Sequence, residues 1–203
     1  METMTLDKKE KCTWCNKKAP AHNSILVPGE TQNFRICLHC YNQEISKATG
    51  IEYDPIQLHP VILKDRDGKD HDFHFSLRLM GDEQVLTAFE MKEDRPAGYE
   101  LSMMGNTEDG IFPLFSALYI KMLNALAKKH IFKNPNTEEW EIRREDTVRG
   151  RIACPEESGE DQSTPAMIID GKSVSWNDFG RMLMTYEGSD FKLRLIDNSE
   201  GEN

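Results

Sequence analysis

Long hydrophobic runs are missing from this 203-residue chain. The longest, near residues 111–126, is broken by Ser116, Lys121 and Asn124. That falls short of the ~20 apolar residues a membrane-spanning helix requires, so no membrane association is expected. Met1 to Lys11 is charged and has no apolar h-region, which gives no sign of secretion and makes the cytoplasm the expected compartment. The marks of nucleotide and hydrolase sites are absent too, with no P-loop, dinucleotide fingerprint, GxSxG or HExxH. Cysteine is scarce and odd in number: of five, four fall into two CxxC pairs, which argues against a disulfide framework. The fifth, Cys154, precedes Pro155 in a polar stretch and reads as an ordinary loop thiol. Positive charge is also short. The net charge is −10, and residues 1–50 carry seven Lys/Arg against five acids, so the deficit lies wholly in residues 51–203. An acidic body repels a phosphate backbone, which disfavours broad nucleic-acid binding.

What is present begins with Cys12-Thr13-Trp14-Cys15, followed after 21 residues by Cys37-Leu38-His39-Cys40. Each short turn lets two sulfurs face one point, so two pairs can set four thiolates at the corners of a tetrahedron. Zn²⁺ takes that geometry, with Zn–S bonds of roughly 2.3 Å. The interval is slightly longer than the about 15–20 residues usual for the pattern. Cys12, Cys15, Cys37 and Cys40 are therefore the candidate ligands of a structural zinc ion, whose closed shell leaves no position for catalysis. Its role is to fold a segment too small to fold alone. His22 and His39 are read as surface residues, since four thiolates already suffice. Iron in a rubredoxin-like site is the alternative metal. Rubredoxin knuckles continue with Gly after the second Cys, however, and here Asn16 and Tyr41 follow.

Ser24-Ile25-Leu26-Val27, a turn at Pro28-Gly29-Glu30 and Asn33-Phe34-Arg35-Ile36 form a candidate hairpin between the pairs. The second CxxC opens a helical stretch, Tyr41 to Ala48, that stops at Gly50. Over residues 12–48 this layout resembles a treble-clef or zinc-ribbon finger, with the helix favouring the treble clef. The resemblance implies a metal-stapled scaffold and no particular activity.

Strand signals follow. Gln57 to Lys64 leads through Asp67-Gly68 to Asp72–Leu79, whose alternation puts Phe73, Phe75, Leu77 and Leu79 on one face. Val85–Met91 and Tyr99–Met104 are two further strands, separated by a turn at Arg95-Pro96-Ala97-Gly98. Asp65, Asp67, Asp70 and Asp72 read as a solvated hairpin tip. A calcium loop is the alternative, but Gly68 comes too early and no distal Glu is in register. His71 and His74 point to opposite faces and make a poor ligand pair. Gly110 to Ile131 is the strongest helix, with a broad apolar stripe and Lys128, Lys129 and His130 at its C-terminal end. Trp140 and the arginines 143, 144, 149 and 151 form a local basic patch, read as pairing with Glu138, Glu139, Glu141, Glu145 and Asp146.

The fold class expected is α+β: a small N-terminal Cys₄ zinc finger (1–50), then an antiparallel sheet packed against one long helix (51–154). An acidic linker or loop (155–165) leads to a C-terminal β-hairpin–helix–strand unit (166–203), which could share the preceding domain. In that unit Ser175 caps the helix and Phe191–Ile196 alternates as the last strand. Ile169-Asp170-Gly171-Lys172, Ser175-Trp176 and Phe179 to Gly188 resemble a segment of bacterial proteins of unknown function. That likeness implies no site residues. The leading functional expectation is a cytoplasmic zinc-binding adaptor or regulatory module whose partner is another protein. One alternative is nucleic-acid binding through Lys8, Lys9, Lys11, Lys17, Lys18 and Arg35. Another is an enzyme whose site gathers distant residues such as His59, His74, Glu90 and Arg181.

Overall fold

A computed structural model describes residues 11–29, 33–143, 147–154, 164–197 and 199. Most of the lead-in, Glu30 of the first turn, Lys8 and Lys9, residues 144–146 within the basic patch, most of the 155–165 stretch and the end of the tail lie outside the described residues. The architecture is mixed α+β, with three helices and several antiparallel sheets.

Strands β1 (Ser24–Val27) and β2 (Phe34–Cys37) pair antiparallel, and β2 runs straight into helix α1 (Leu38–Thr49). Gly50 ends α1 in the left-handed region at φ 75°, where its N–H reaches the Ser46 carbonyl.

The central sheet is a meander, β3 (Val61–Lys64), β4 (Asp70–Met80), β5 (Glu83–Lys92) and β6 (Arg95–Asn106), in that spatial order. Phe73, Leu86 and Ala88 on one face pack against Leu114, Leu118, Met122 and Leu126 of helix α2 (Ile111–Ala127). The turn before β6 is Glu93-Asp94, both at positive φ (50° and 63°), rather than the expected Arg95–Gly98. Two successive positive-φ residues give the primed twist a tight hairpin needs. Pro96 is tolerated because β6 is an edge strand. Helix α2 stops at Ala127, short of the expected Ile131. Lys128 is already extended, and Ile131 is buried in the next strand.

That strand, β7 (Ile131–Lys133), pairs with β8 (Trp140–Ile142). Strands β9 (Gly150–Ala153), β10 (Ala166–Ile169) and β11 (Lys172–Val174) make a separate three-stranded sheet with β10 central. It therefore spans the stretch whose composition reads as a linker. Ile131, Ile169 and Val174 pack with Met182 of helix α3 (Trp176–Met184), whose N-cap Ser175 accepts from the Asp178 amide.

The expected last strand does not form. A strand needs a partner for its backbone groups, and residues 191–197 join no ladder among the described residues. Phe191, Leu193 and Leu195 stay 91%, 75% and 73% exposed.

The aspartate tip is also more than a solvated turn. Asp65 is buried: one oxygen accepts from the Asp67 and Lys69 amides, and the other meets Lys129 Nζ at 2.6 Å and His71 Nε2 at 3.3 Å. His71 Nδ1 lies 2.9 Å from Glu90 Oε1, and Glu90 Oε2 accepts from the Tyr99 amide.

Candidate metal centre

Four sulfurs, from Cys12, Cys15, Cys37 and Cys40, lie within 4.8 Å of one another. Cys12, Cys37 and Cys40 are buried and Cys15 is partly exposed. The Cys15 and Cys37 sulfurs are 3.8 Å apart. Tetrahedral coordination at about 2.3 Å gives a sulfur–sulfur edge of about 3.8 Å, so the donor set fits a closed four-thiolate ion.

Each pair is placed by its own local structure. In the first knuckle the Cys12 amide donates to Lys17 O and the Asn16 amide donates back to Cys12 O, both at 2.8 Å. Closing that turn requires Asn16 at φ 58°. Glycine usually serves there, and asparagine is among the few L-residues that enter this region cheaply. The sequence signal was thus present as Asn16 but is easily passed over. In the second pair Cys37 is the N-cap of α1 and Cys40 lies in its first turn. No left-handed residue is needed after Cys40, because Tyr41 simply continues the helix. Thr13 joins the two halves: its amide and hydroxyl both donate to Arg35 O, at 2.9 and 3.1 Å.

The electrostatics suit a cation. Burial raises a thiol, but amide donation from Cys37, Cys15 and Trp14 outweighs it at Cys12 and brings that thiol down to about 6. At Cys37 and Cys40 burial dominates and the neighbouring sulfurs add to it, so both are pushed up. Thiols this close cannot all ionise against one another. A divalent ion at their centre removes the conflict, and the N-terminus of α1 favours the same negative charge. As tetrahedral sulfur ligation suits either zinc or iron, the geometry alone identifies a metal site and not the element.

Residues outside the centre are not gathered into a second constellation of the expected kind. His74 and Glu90 belong to opposite faces of the sheet, since Phe73 is the residue paired with Glu90. Arg181 on α3 pairs with Asp178 at 3.4 Å, and His59 is exposed. Of the basic patch, Arg151 meets Glu100 on β6 at 3.1 Å, and the cation over Trp140 is Lys172. What sequence reading passed over is Asn42, buried in α1, which bonds the β4 backbone at both Leu77 O and Leu79 N. Asparagine in a helical stretch gives no sign of such a partner 35 residues away.

Three families, each described as a domain of unknown function, match successive parts of the chain. They are DUF7685 over residues 11–52, DUF7686 over 54–127 and DUF7713 over 130–200. No curated protein and no solved structure matches. The three matches follow the structure: finger and α1, central sheet and α2, then β7 onward. All four clustered cysteines fall within the first.

Proposed function

We propose that Cys12, Cys15, Cys37 and Cys40 hold one structural zinc ion in a treble-clef finger, and that the protein serves as a non-catalytic adaptor in the cytoplasm. The convergence of the four sulfurs within 4.8 Å carries the metal assignment. The order of knuckle, β1–β2 hairpin and second pair opening α1 supports the treble-clef type. Four thiolates complete the zinc shell, so the ion folds the module and activates no water. A thiolate site also suits a reducing compartment. The adaptor reading rests on what the module displays. Trp14 and Leu26 are 54% and 56% exposed on a segment too small to waste apolar surface, and aromatic anchors of this kind dominate protein interfaces.

Metal analysis of protein purified without added metal, with thiol titration before and after chelation, tests the core of the proposal. About one zinc per chain with four chelator-released thiols is the expected result. A reversible disulfide and no metal would make the pairs a redox device and end the adaptor reading. The interaction surface is tested by affinity capture with Trp14→Ser, which retains zinc and loses the partner.

A further inference from the structure

The central sheet has a second face, and the finger closes over it only in part. Ser76, Arg78 and Met80 of β4, Val85, Thr87 and Phe89 of β5, and Glu100, Ser102 and Met104 of β6 point away from α2. The His22 ring of the finger lies 5.0 Å from Phe89 in a tilted contact, and Ile25 and Leu38 also line the gap. Between finger and sheet remains a cleft of about 600 Å³, within the size range of small-molecule sites.

Its floor is unusual for a sheet face covered by another module. Ser76, Thr87 and Ser102 stand opposite one another on three adjacent strands, and Thr87 Oγ1 and Ser102 Oγ are 2.9 Å apart. Short hydroxyls leave room and offer donors, where a packing face would carry branched apolar side chains. Next along β4 is Arg78, whose guanidinium touches Met80 Sδ at 3.2 Å and has no carboxylate partner among the described residues. Of the two acids at the rim, one is matched by a cation and the other is held within the cleft. Glu100 is held by Arg151 at 3.1 Å, and Asp197 accepts from the Ser199 amide and hydroxyl at 2.8 and 2.5 Å. Burial and the nearby His74 lower the pKa of His22.

We propose that this cleft binds a small organic oxyanion, with its carboxylate or phosphate on Arg78 and its polar body along the Ser76–Thr87–Ser102 row. The arginine fork matches either group in two parallel hydrogen bonds, and Val85, Phe89, Ile25 and Leu38 take the apolar part of the ligand. The cleft is separate from the four sulfurs, so this assignment goes beyond the zinc reading.

The test is titration of the full zinc-loaded chain with inorganic phosphate and, separately, with succinate, following backbone and arginine Nε–H resonances. Saturable shifts confined to Arg78, Ser76, Thr87 and Ser102 are expected, with at least tenfold weaker binding in Arg78→Gln. The tighter arm identifies the oxyanion class. Shifts scattered over surface lysines, no shifts at all, or an unchanged Arg78→Gln would overturn the proposal. If Arg78→Gln does not fold, the wild-type shift map decides alone. Metal content is read on the same samples, so loss of the zinc reading is visible separately.

Discussion

Asp65, His71, Glu90 and Lys129 form a chain of ionisable groups whose side chains are 2%, 2%, 3% and 10% exposed. Both nitrogens of His71 face carboxylate oxygens, at 2.9 Å to Glu90 and 3.3 Å to Asp65. Burial works to raise both carboxyls. At Asp65 the Lys129 ammonium, the Lys69 amide and the His71 ring outweigh it, and at Glu90 the His71 ring, the Tyr99 amide and Lys92 do so. Both carboxyls are consequently held below their ordinary values. A carboxyl depressed in the folded state adds stability above its unfolded pKa and loses it as pH falls through the folded one. Stability should therefore decline from about pH 4 downward. In Asp65→Asn and Glu90→Gln that decline should flatten, on a lower plateau at neutral pH because the buried partners of the lost carboxylate are left unmatched. Urea unfolding between pH 2 and 7 measures both effects, and parallel wild-type and variant curves would refute the linkage. The sequence showed Asp65 as one of four acids near a glycine, where solvation is the economical reading. Its true partner, Lys129, lies 64 residues on and leaves no mark at either end.

Elements were legible where the signal is local and lost where a partner decides. The alternation of β4, the apolar stripe of α2 and the Ser175 cap all read directly, because periodicity and capping act within a few residues. Phe191–Ile196 has the same alternation as β4, yet no ladder receives it. The β5–β6 turn misled in the opposite way, because Pro96 and Gly98 look like turn residues while Glu93 and Asp94 make the turn. Gly98 instead has φ 100° and passes so close to Glu90 that a Cβ there would overlap its carboxylate. The clearest dependence between elements is at the β4 edge. Strand β3 pairs only with residues 70–73, leaving the outer side of the following stretch of β4 open. Asn42 supplies there the donor and acceptor of a missing strand, at 2.8 and 3.0 Å. Asn42→Ala would bury an unpaired carbonyl and an unpaired amide, at about 1–3 kcal/mol for each group. A loss of about 2–4 kcal/mol is expected in chemical denaturation, along with faster exchange of the Leu79 amide. Protection of Leu79 equal to wild type would mean that the contact does not hold the finger to the sheet.

For the whole molecule the cores differ greatly in what they can sustain alone. The core under α2 buries Phe73, Leu86, Leu118 and Met122 completely, whereas the finger buries three cysteines, Ala19, Ile36 and little else. The second set cannot offset the entropy of ordering nearly forty residues, at about 1–2 kcal/mol each. Its stability must come from the ion and, to a lesser degree, from Asn42. The two CxxC pairs were the most readable feature because metal ligation is encoded in spacing, but spacing carries nothing about where the finger docks. Chelation should therefore unfold the molecule in part. Amides of β2 and α1 should exchange freely after removal of the metal, while those of β5 and of Leu114 to Leu126 stay protected. The Leu79 amide should follow the finger rather than the sheet, because its acceptor is lost with Asn42. Hydrogen exchange with mass analysis, before and after chelation, reads all three regions in one experiment. Simultaneous loss of protection in α2 would show instead that the ion holds the whole chain as one cooperative unit.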